Sequence, residues 1–265
     1  MADPRPWSDA PRATLAAVSG VLTDIDDTLT RDGALEPAAR AALQALADAG
    51  LPVIAVTGRP MGWSEPFART WPLRAIVAEN GAVGLFREGA DKLAIEYSQD
   101  AATRSVNAER LRRAADRIVA EVPGATLARD SAGRVTDIAI DHAEFARLDD
   151  AAVAQVVARM QAAGMTATVS SIHVNGWFGR HDKLSGARWA VRRLLGRELD
   201  AERDRWVYVG DSTNDQAMFA AFALSVGVAN LRHFADRLHT WPHYLTDGER
   251  GAGFAEVARA LLAAR

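Results

Sequence analysis

A chain of 265 residues that is 49% hydrophobic and 25% charged can bury a sizeable core, and its composition excludes a disordered polar segment. Its net charge of −3 provides no global attraction for nucleic acid or an anionic membrane, so a charged substrate must be met locally. The lack of cysteine excludes disulfides, thiolate metal ligands and a thiol nucleophile; it leaves oxygen or imidazole to hold any metal, and it suits the cytosol.

The first segment carries Asp3, Asp9 and three prolines where a secretory signal needs an unbroken apolar stretch, so residues 1–19 are expected to form a short arm. No apolar run approaches the roughly 20 residues that span a bilayer. Val21 to Ile25 is an apolar run that ends in carboxylates and reads as a buried strand. A helix follows from Pro37 to Ala49, with proline in its first turn, Ala39, Leu43 and Leu46 at helical spacing, and Gly50 as terminator. Pro52 to Val56 is a second buried strand, so the order predicts a right-handed parallel crossover. Trp206 to Val209, a helix from Thr213 to Ala221 and the run Leu224 to Val228 repeat this pattern near the other end.

Between residues 83 and 178 the texture changes to alternating strands, which predicts antiparallel pairing with one open face. Leu93, Ile95 and Tyr97 alternate with polar neighbours, as do Ile138 and Ile140, and Ile172 and Val174. Helices are expected at 101–121 and 149–163, the second with Val153, Val156, Val157 and Met160 on one stripe. The expected architecture is α/β, with a doubly wound parallel core formed by 1–82 and 179–265 and an inserted α+β cap over 83–178.

Four segments carry chemistry. In Thr23-Asp24-Ile25-Asp26-Asp27-Thr28, Asp24 and Asp26 share a face at the end of a strand. Carboxylates that close repel, and a cation or a shared proton resolves the repulsion. A solvated acidic turn is the plain alternative. A calcium loop is excluded because Leu29 and Leu35 stand where glycine and a bidentate glutamate are required. Thr57-Gly58-Arg59 leaves the second strand with a hydroxyl and backbone amides suited to a phosphate oxygen. Lys183 opens a helix that runs to Leu195. In Gly210-Asp211-Ser212-Thr213-Asn214-Asp215, two carboxylates four apart leave another strand and can approach one cation. His239 and His243 have the spacing of a helical zinc pair, but Pro242 between them argues against a regular helix.

Taken in order, these segments resemble the motifs of the haloacid dehalogenase superfamily. The insertion after Glu79-Asn80-Gly81-Ala82 is similar to its type IIB capped branch, which includes Cof-like, sucrose-phosphate and mannosyl-phosphoglycerate phosphatases. The likeness covers the chain after residue 20, including Gly227, Asn230 and Arg250-Gly251-Ala252-Gly253-Phe254. Asp27 departs from it, since many relatives have glycine there.

The resemblance implies a Mg²⁺-dependent phosphatase acting on a small phosphorylated metabolite such as a sugar phosphate, in the cytoplasm and without nucleic acid or membrane. Asp24 is implied as nucleophile and Asp26 as proton carrier. Asp24, the backbone carbonyl of Asp26, Asp211 and Asp215 are implied for the metal, and Thr57, Gly58, Lys183 and Asn214 for the phosphate. Arg59 and the cap's polar face, with Asp137, His173 and Asn175, are candidates for reading the leaving group, and Trp63 and Trp177 for stacking on a sugar. A phosphotransferase or phosphosugar mutase with the same nucleophile, and a non-catalytic phosphometabolite-binding protein, are the competing readings. Substrate identity and oligomeric state are open at this level.

Overall fold

The computed structural model describes residues 3–89 and 92–265. The chain opens with β1 (Arg5–Pro6), α1 (Arg12–Ala16), β2 (Gly20–Thr23), a hairpin of β3 (Thr30–Arg31) and β4 (Ala34–Leu35), α2 (Pro37–Asp48), β5 (Val53–Val56), α3 (Met61–Thr70), β6 (Ala75–Ala78), β7 (Val83–Arg87) and β8 (Leu93–Tyr97). A middle segment holds α4 (Ala101–Glu121), β9 (Thr126–Leu127), β10 (Asp137–Asp141), α5 (Asp150–Ala162), β11 (Thr166–Val169) and β12 (His173–Trp177). The chain then returns through α6 (Lys183–Leu195), β13 (Trp206–Gly210), α7 (Gln216–Ala221), β14 (Leu224–Gly227), β15 (Tyr244–Leu245) and α8 (Arg250–Ala264). No helix among the described residues is long and apolar enough to cross a membrane.

The main sheet has nine strands in the order β1-β15-β14-β13-β2-β5-β6-β7-β8. From β1 to β6 all neighbours are parallel. Helices cover both faces, which is why β2, β5, β6, β13 and β14 are buried throughout. Val21, Val53 and Ala55 face α2 and α8 on one side, while Leu22, Ile54 and Val56 face α6 and α7 on the other. The chain leaves β2 toward β5 on one side and comes back to β13 on the other. The carboxyl ends of β2 and β13 therefore meet at a topological switch point, where sheets of this kind bind ligands.

Three expectations need correction. The strands over 83–97 belong to the core and not to the cap: β7 and β8 extend the main sheet as an antiparallel edge on β6. Alternation marks an antiparallel strand with one open face, but it does not say which sheet that strand joins. The arm is part of the sheet, because β1 pairs with β15, Trp7 is buried and its ring meets Tyr244 edge-on at 5.5 Å. The helix expected from Thr213 is divided into a 3₁₀ turn at Thr213–Asp215 and α7.

The cap is a four-stranded antiparallel sheet in the order β11-β12-β10-β9 with α4 and α5 on one face. Ile138, Ile140 and Val174 point into that helical layer. The alternation places Asp137, Asp141, His173 and Asn175 on the opposite face, which closes on the core and is buried. Glu79, in the turn after β6, takes the backbone amides of Met61 (3.0 Å), Val135 (3.1 Å) and Thr136 (2.6 Å), thereby tying core to cap. Gly62 and Gly133 touch across the same seam, where a Cβ on Gly62 would lie 2.9 Å from Gly133 Cα.

Candidate active site

Asp24 follows β2, and its amide donates to Val209 O of β13 at 2.8 Å, so the nucleophile candidate sits where the two strands end. Asp211 follows β13 directly. One carboxylate oxygen each from Asp24, Asp211 and Asp215 lie within 4.8 Å of one another, and all three residues are buried. Lys183 Nζ enters from the first turn of α6, 3.1 Å from Asp24 Oδ1 and 2.6 Å from Asp215 Oδ1. Its position depends on the Glu79–Gly81 turn packing under α6. Gly81 has φ +106, and a Cβ there would collide with the Asp182 carbonyl.

The charges are frustrated in a way that invites a cation. Burial pushes Asp24 up to about 7, against the pull of Lys183 and with Asp215 and Asp26 adding to the rise. Burial, then Asp215 and Asp24, push Asp211 well above the ordinary carboxylate range. Burial opposes the charge on Lys183, but Asp215 and Asp24 outweigh it and keep the ammonium well above the usual lysine value. Asp211 Oδ1 accepts from Thr28 Oγ1 at 3.3 Å, whereas its buried Oδ2 has no hydrogen-bond partner among the described residues. Hard oxygen donors around an orphaned buried oxygen fit Mg²⁺. Asp24 and Asp211 are the side chains free to hold it. Asp215 is committed elsewhere. Its Oδ1 accepts from Lys183 and the Tyr208 hydroxyl, and its Oδ2 from the amides of Asp211 (2.9 Å) and Ser212 (3.1 Å), so it braces the loop.

Among the residues expected to meet phosphate, Thr57 Oγ1 accepts from the Arg59 amide at 3.1 Å, which leaves the hydroxyl proton free to donate. Asn214 Oδ1 accepts from Lys183 Nζ at 3.1 Å and from Ser212 Oγ at 3.0 Å. Gly58 O is held by Arg134 Nη1 at 3.0 Å, so the second motif is gripped by the cap.

The Asp26 side chain turns away from the carboxylate cluster. Both its oxygens accept from Arg59 Nε at 2.9 Å, so any metal contact from this residue falls to its backbone carbonyl. Burial, not proximity to Asp24, is the main force raising Asp26, and Arg59 opposes it. Arg59 also reaches two cap carboxylates, Asp130 at 3.2 Å and Glu144 at 2.9 Å. Burial disfavours the guanidinium charge, but Asp26, Glu144 and Asp130 together hold it well above the normal range. Burial would raise Glu144, yet His173 at 2.9 Å and Arg59 bring it down to about 2.

The cap candidates are thus engaged with the protein itself. Asp137 is paired with Arg134 at 2.9 Å, and burial still lifts it to about 7. His173 is bonded to Glu144, and Asn175 Nδ2 donates to Asp137 at 3.3 Å. The tryptophans expected to stack on a sugar are packing residues. Trp177 is 1% exposed with its Nε1 on His181 O, and Trp63 lies among Phe67, Trp71 and the Arg59 guanidinium. Asp27 has φ +51, a backbone state that glycine adopts freely and aspartate tolerates. Arg250 Nε donates to its Oδ1 at 2.7 Å and Asn230 Nδ2 to its carbonyl at 3.0 Å, so the departure at this position is held by the very segments that carry the resemblance.

A cavity of about 480 Å³ opens beside Asp26, between the core loop at 26–33 and the cap loop at 143–147, with Arg59 and Arg250 in its wall. Glu144, Asp130 and Arg134 were not marked by the sequence, since they lie in cap loops with no periodicity or motif; only their place among charges in the insertion hinted at them.

Residues 21–107 match the sequence model of a family described as haloacid dehalogenase-like hydrolase. No curated protein matches the chain. Among solved structures, protein 0175 of Thermoplasma acidophilum superposes with TM-score 0.71 at 16% identity, covering 92% of this chain and 98% of that one. The sucrose-phosphatase of Synechocystis, solved with sucrose and phosphate, gives TM-score 0.65 at 18% identity over 92% and 98%. A subclass IIB sugar phosphatase gives 0.61 at 14% over 93% and 98%. The matched segment is similar to haloacid dehalogenase-like hydrolases, and the fold of the chain as a whole is similar to the folds of these solved structures.

Proposed function

We propose that this chain is a Mg²⁺-dependent phosphatase that hydrolyses a small phosphate monoester, a sugar phosphate or related metabolite, through an aspartyl-phosphate on Asp24. The observation that carries the reading is the buried meeting of Asp24, Lys183 and Asp211, with an orphaned Asp211 oxygen, at the switch point of the sheet. A dianionic phosphate could not approach three carboxylates unaided. The bound Mg²⁺ would neutralise charge on the phosphoryl group so that a carboxylate can reach it.

The chain's own groups do the rest. Asp24 is 3% exposed and fixed by its strand, so its oxygen attacks phosphorus in line as the ester bond breaks, which divides hydrolysis into two easier steps. Lys183, the Thr57 hydroxyl, the Gly58 amide and Asn214 receive the equatorial oxygens. Asp26 protonates the leaving oxygen and later takes a proton from the water that cleaves the acyl phosphate. For that, Arg59 must release Asp26, and the Arg59 contacts to Asp130 and Glu144 make its position depend on the cap. Burial of Asp24 in the closed arrangement means that substrate enters when the cap swings away. The cysteine-free composition accords with a cytoplasmic enzyme.

Asp24→Asn is the direct test. Phosphate release from a panel of sugar phosphates should fall by about 10⁴-fold or more with the fold retained. Turnover near the wild-type rate in that variant contradicts the assignment. Chelation should abolish the wild-type activity and added Mg²⁺ restore it; full activity in excess chelator contradicts the metal's part.

A further inference from the structure

Four large apolar side chains are markedly exposed among the described residues: Val106, Val119, Leu127 and Phe145. The first two lie on α4 and the third on the edge strand β9, where single exposed apolar groups are ordinary. Phe145 differs, because at 57% exposed it lines the cavity beside Asp26.

The loop that presents it is built with care for position. The Asp141 carboxylate accepts the amides of Glu144 (2.9 Å), Phe145 (3.0 Å) and Ala146 (3.2 Å), which fixes the turn at the end of β10. Glu144 is clamped on one side by Arg59 and on the other by His173, both at 2.9 Å. The Arg129 guanidinium covers the Phe145 ring at 3.7 Å from its centroid. One face of the ring is therefore occupied by Arg129, and Phe145 stands one residue from the chain of contacts that runs Glu144 to Arg59 to Asp26. Ile172 adds a second apolar wall to the same cavity.

The charges of the cavity narrow what can lie on that ring. Its walls carry Asp26, Asp27, Asp32 and Glu144 against Arg59, Arg147 and Arg250. Arg59 is already shared among three carboxylates, and Arg250 is bound to Asp27. There is no surplus of positive charge for a second phosphate or carboxylate, whereas carboxylate oxygens are good acceptors for hydroxyls.

We infer that Phe145 is a specificity-determining residue, the platform on which the ring of a neutral, polyhydroxylated cyclic leaving group stacks while its phosphate reaches toward Asp24. The carbon-hydrogen face of a pyranose or furanose meets the phenyl face, and its hydroxyls meet the wall carboxylates. The inference rests on the phosphatase reading above and adds the residue that reads the leaving group.

The test compares wild type, Phe145→Ala and Phe145→Tyr for Mg²⁺-supported phosphate release from hexose and pentose phosphates and from open-chain glycerol phosphate, with thermal midpoints as a control of fold. Wild type should prefer the ring substrates. Phe145→Ala should raise KM for them about tenfold. It should leave kcat within about twofold and glycerol phosphate kinetics unchanged, and Phe145→Tyr should recover the preference. Equal loss on ring and open-chain substrates, no loss on either, or a wild type that ignores the ring would overturn the platform. If wild type releases phosphate from none of these nor from an aryl phosphate, the phosphatase reading itself fails and the platform falls with it.

Discussion

Asp211 holds a buried carboxylate oxygen with nothing to bond to, beside two further carboxylates. Such an arrangement costs stability until a cation arrives, because an uncompensated buried charge is worse than a neutral amide of the same shape. Asp211→Asn should therefore raise the thermal midpoint of the metal-free protein by several degrees, about 1–3 kcal/mol, and remove the stabilisation that Mg²⁺ gives the wild type. Thermal unfolding with and without Mg²⁺ checks both; a variant less stable than metal-free wild type contradicts the picture. The residues of this cluster were legible in the sequence because each sits in a short local motif at the end of an apolar strand. Their roles were less so. The braced position of Asp215, under both Lys183 and Tyr208, depends on groups 32 and 7 residues away that no spacing rule connects. Glu144 and Arg134 likewise act through contacts far apart in the chain.

At the scale of elements, the turn at Glu79–Gly81 serves two sides at once. Gly81 lets α6 pack closely enough to deliver Lys183, while the Glu79 carboxylate takes up amides from the cap segment at Val135 and Thr136. Removing that carboxylate leaves several buried donors without an acceptor, at about 1–3 kcal/mol for each that water does not reach. Glu79→Ala should thus speed hydrogen exchange through residues 130–137 while β2 and β13 keep their protection, as measured by peptide-level exchange. Uniform loss of protection across the core would argue that the turn supports the whole fold and not the docking of the cap. Helical elements with clear ends were readable, as for α4 and α6, because caps and periodicity coincide there. α3 was not foreseen, since Pro66 lies within it and Gly62 near its start, and tertiary packing against β7 and the cap holds it in spite of both. For the edge hairpin β7-β8, alternation reveals strands but not their sheet, because which sheet a strand joins is decided by packing.

In the molecule as a whole, the closed cap is a set of buried charges whose titration gives stability a defined pH course. Asp24 and Asp137 are both raised to about 7 by burial, so the stability they confer is complete below about pH 4 and is lost as pH rises through 7. Glu144 is lowered to about 2 by His173 and Arg59 despite its burial, so its contribution is present above about pH 4.5 and is lost as pH falls toward 2. The metal-free protein should be most stable near pH 4, with a thermal midpoint that declines as pH rises toward 7 and again as pH falls toward 2. A midpoint unchanged from pH 5 to 8 in the presence of chelator would contradict the assigned burial of these carboxylates.

The proposed chemistry turns on a phosphoryl group carried by Asp24. Acid quenching of the enzyme during turnover of a hydrolysable phosphate ester, followed by peptide mass analysis, measures this directly. One phosphoryl group should appear on the peptide that contains Asp24, absent from Asp24→Asn and, with an aryl phosphate whose leaving group needs no proton, accumulating when Asp26→Asn slows breakdown of the acyl phosphate. Phosphate release without any phosphorylated Asp24, or a phosphoryl group on another residue, would contradict it.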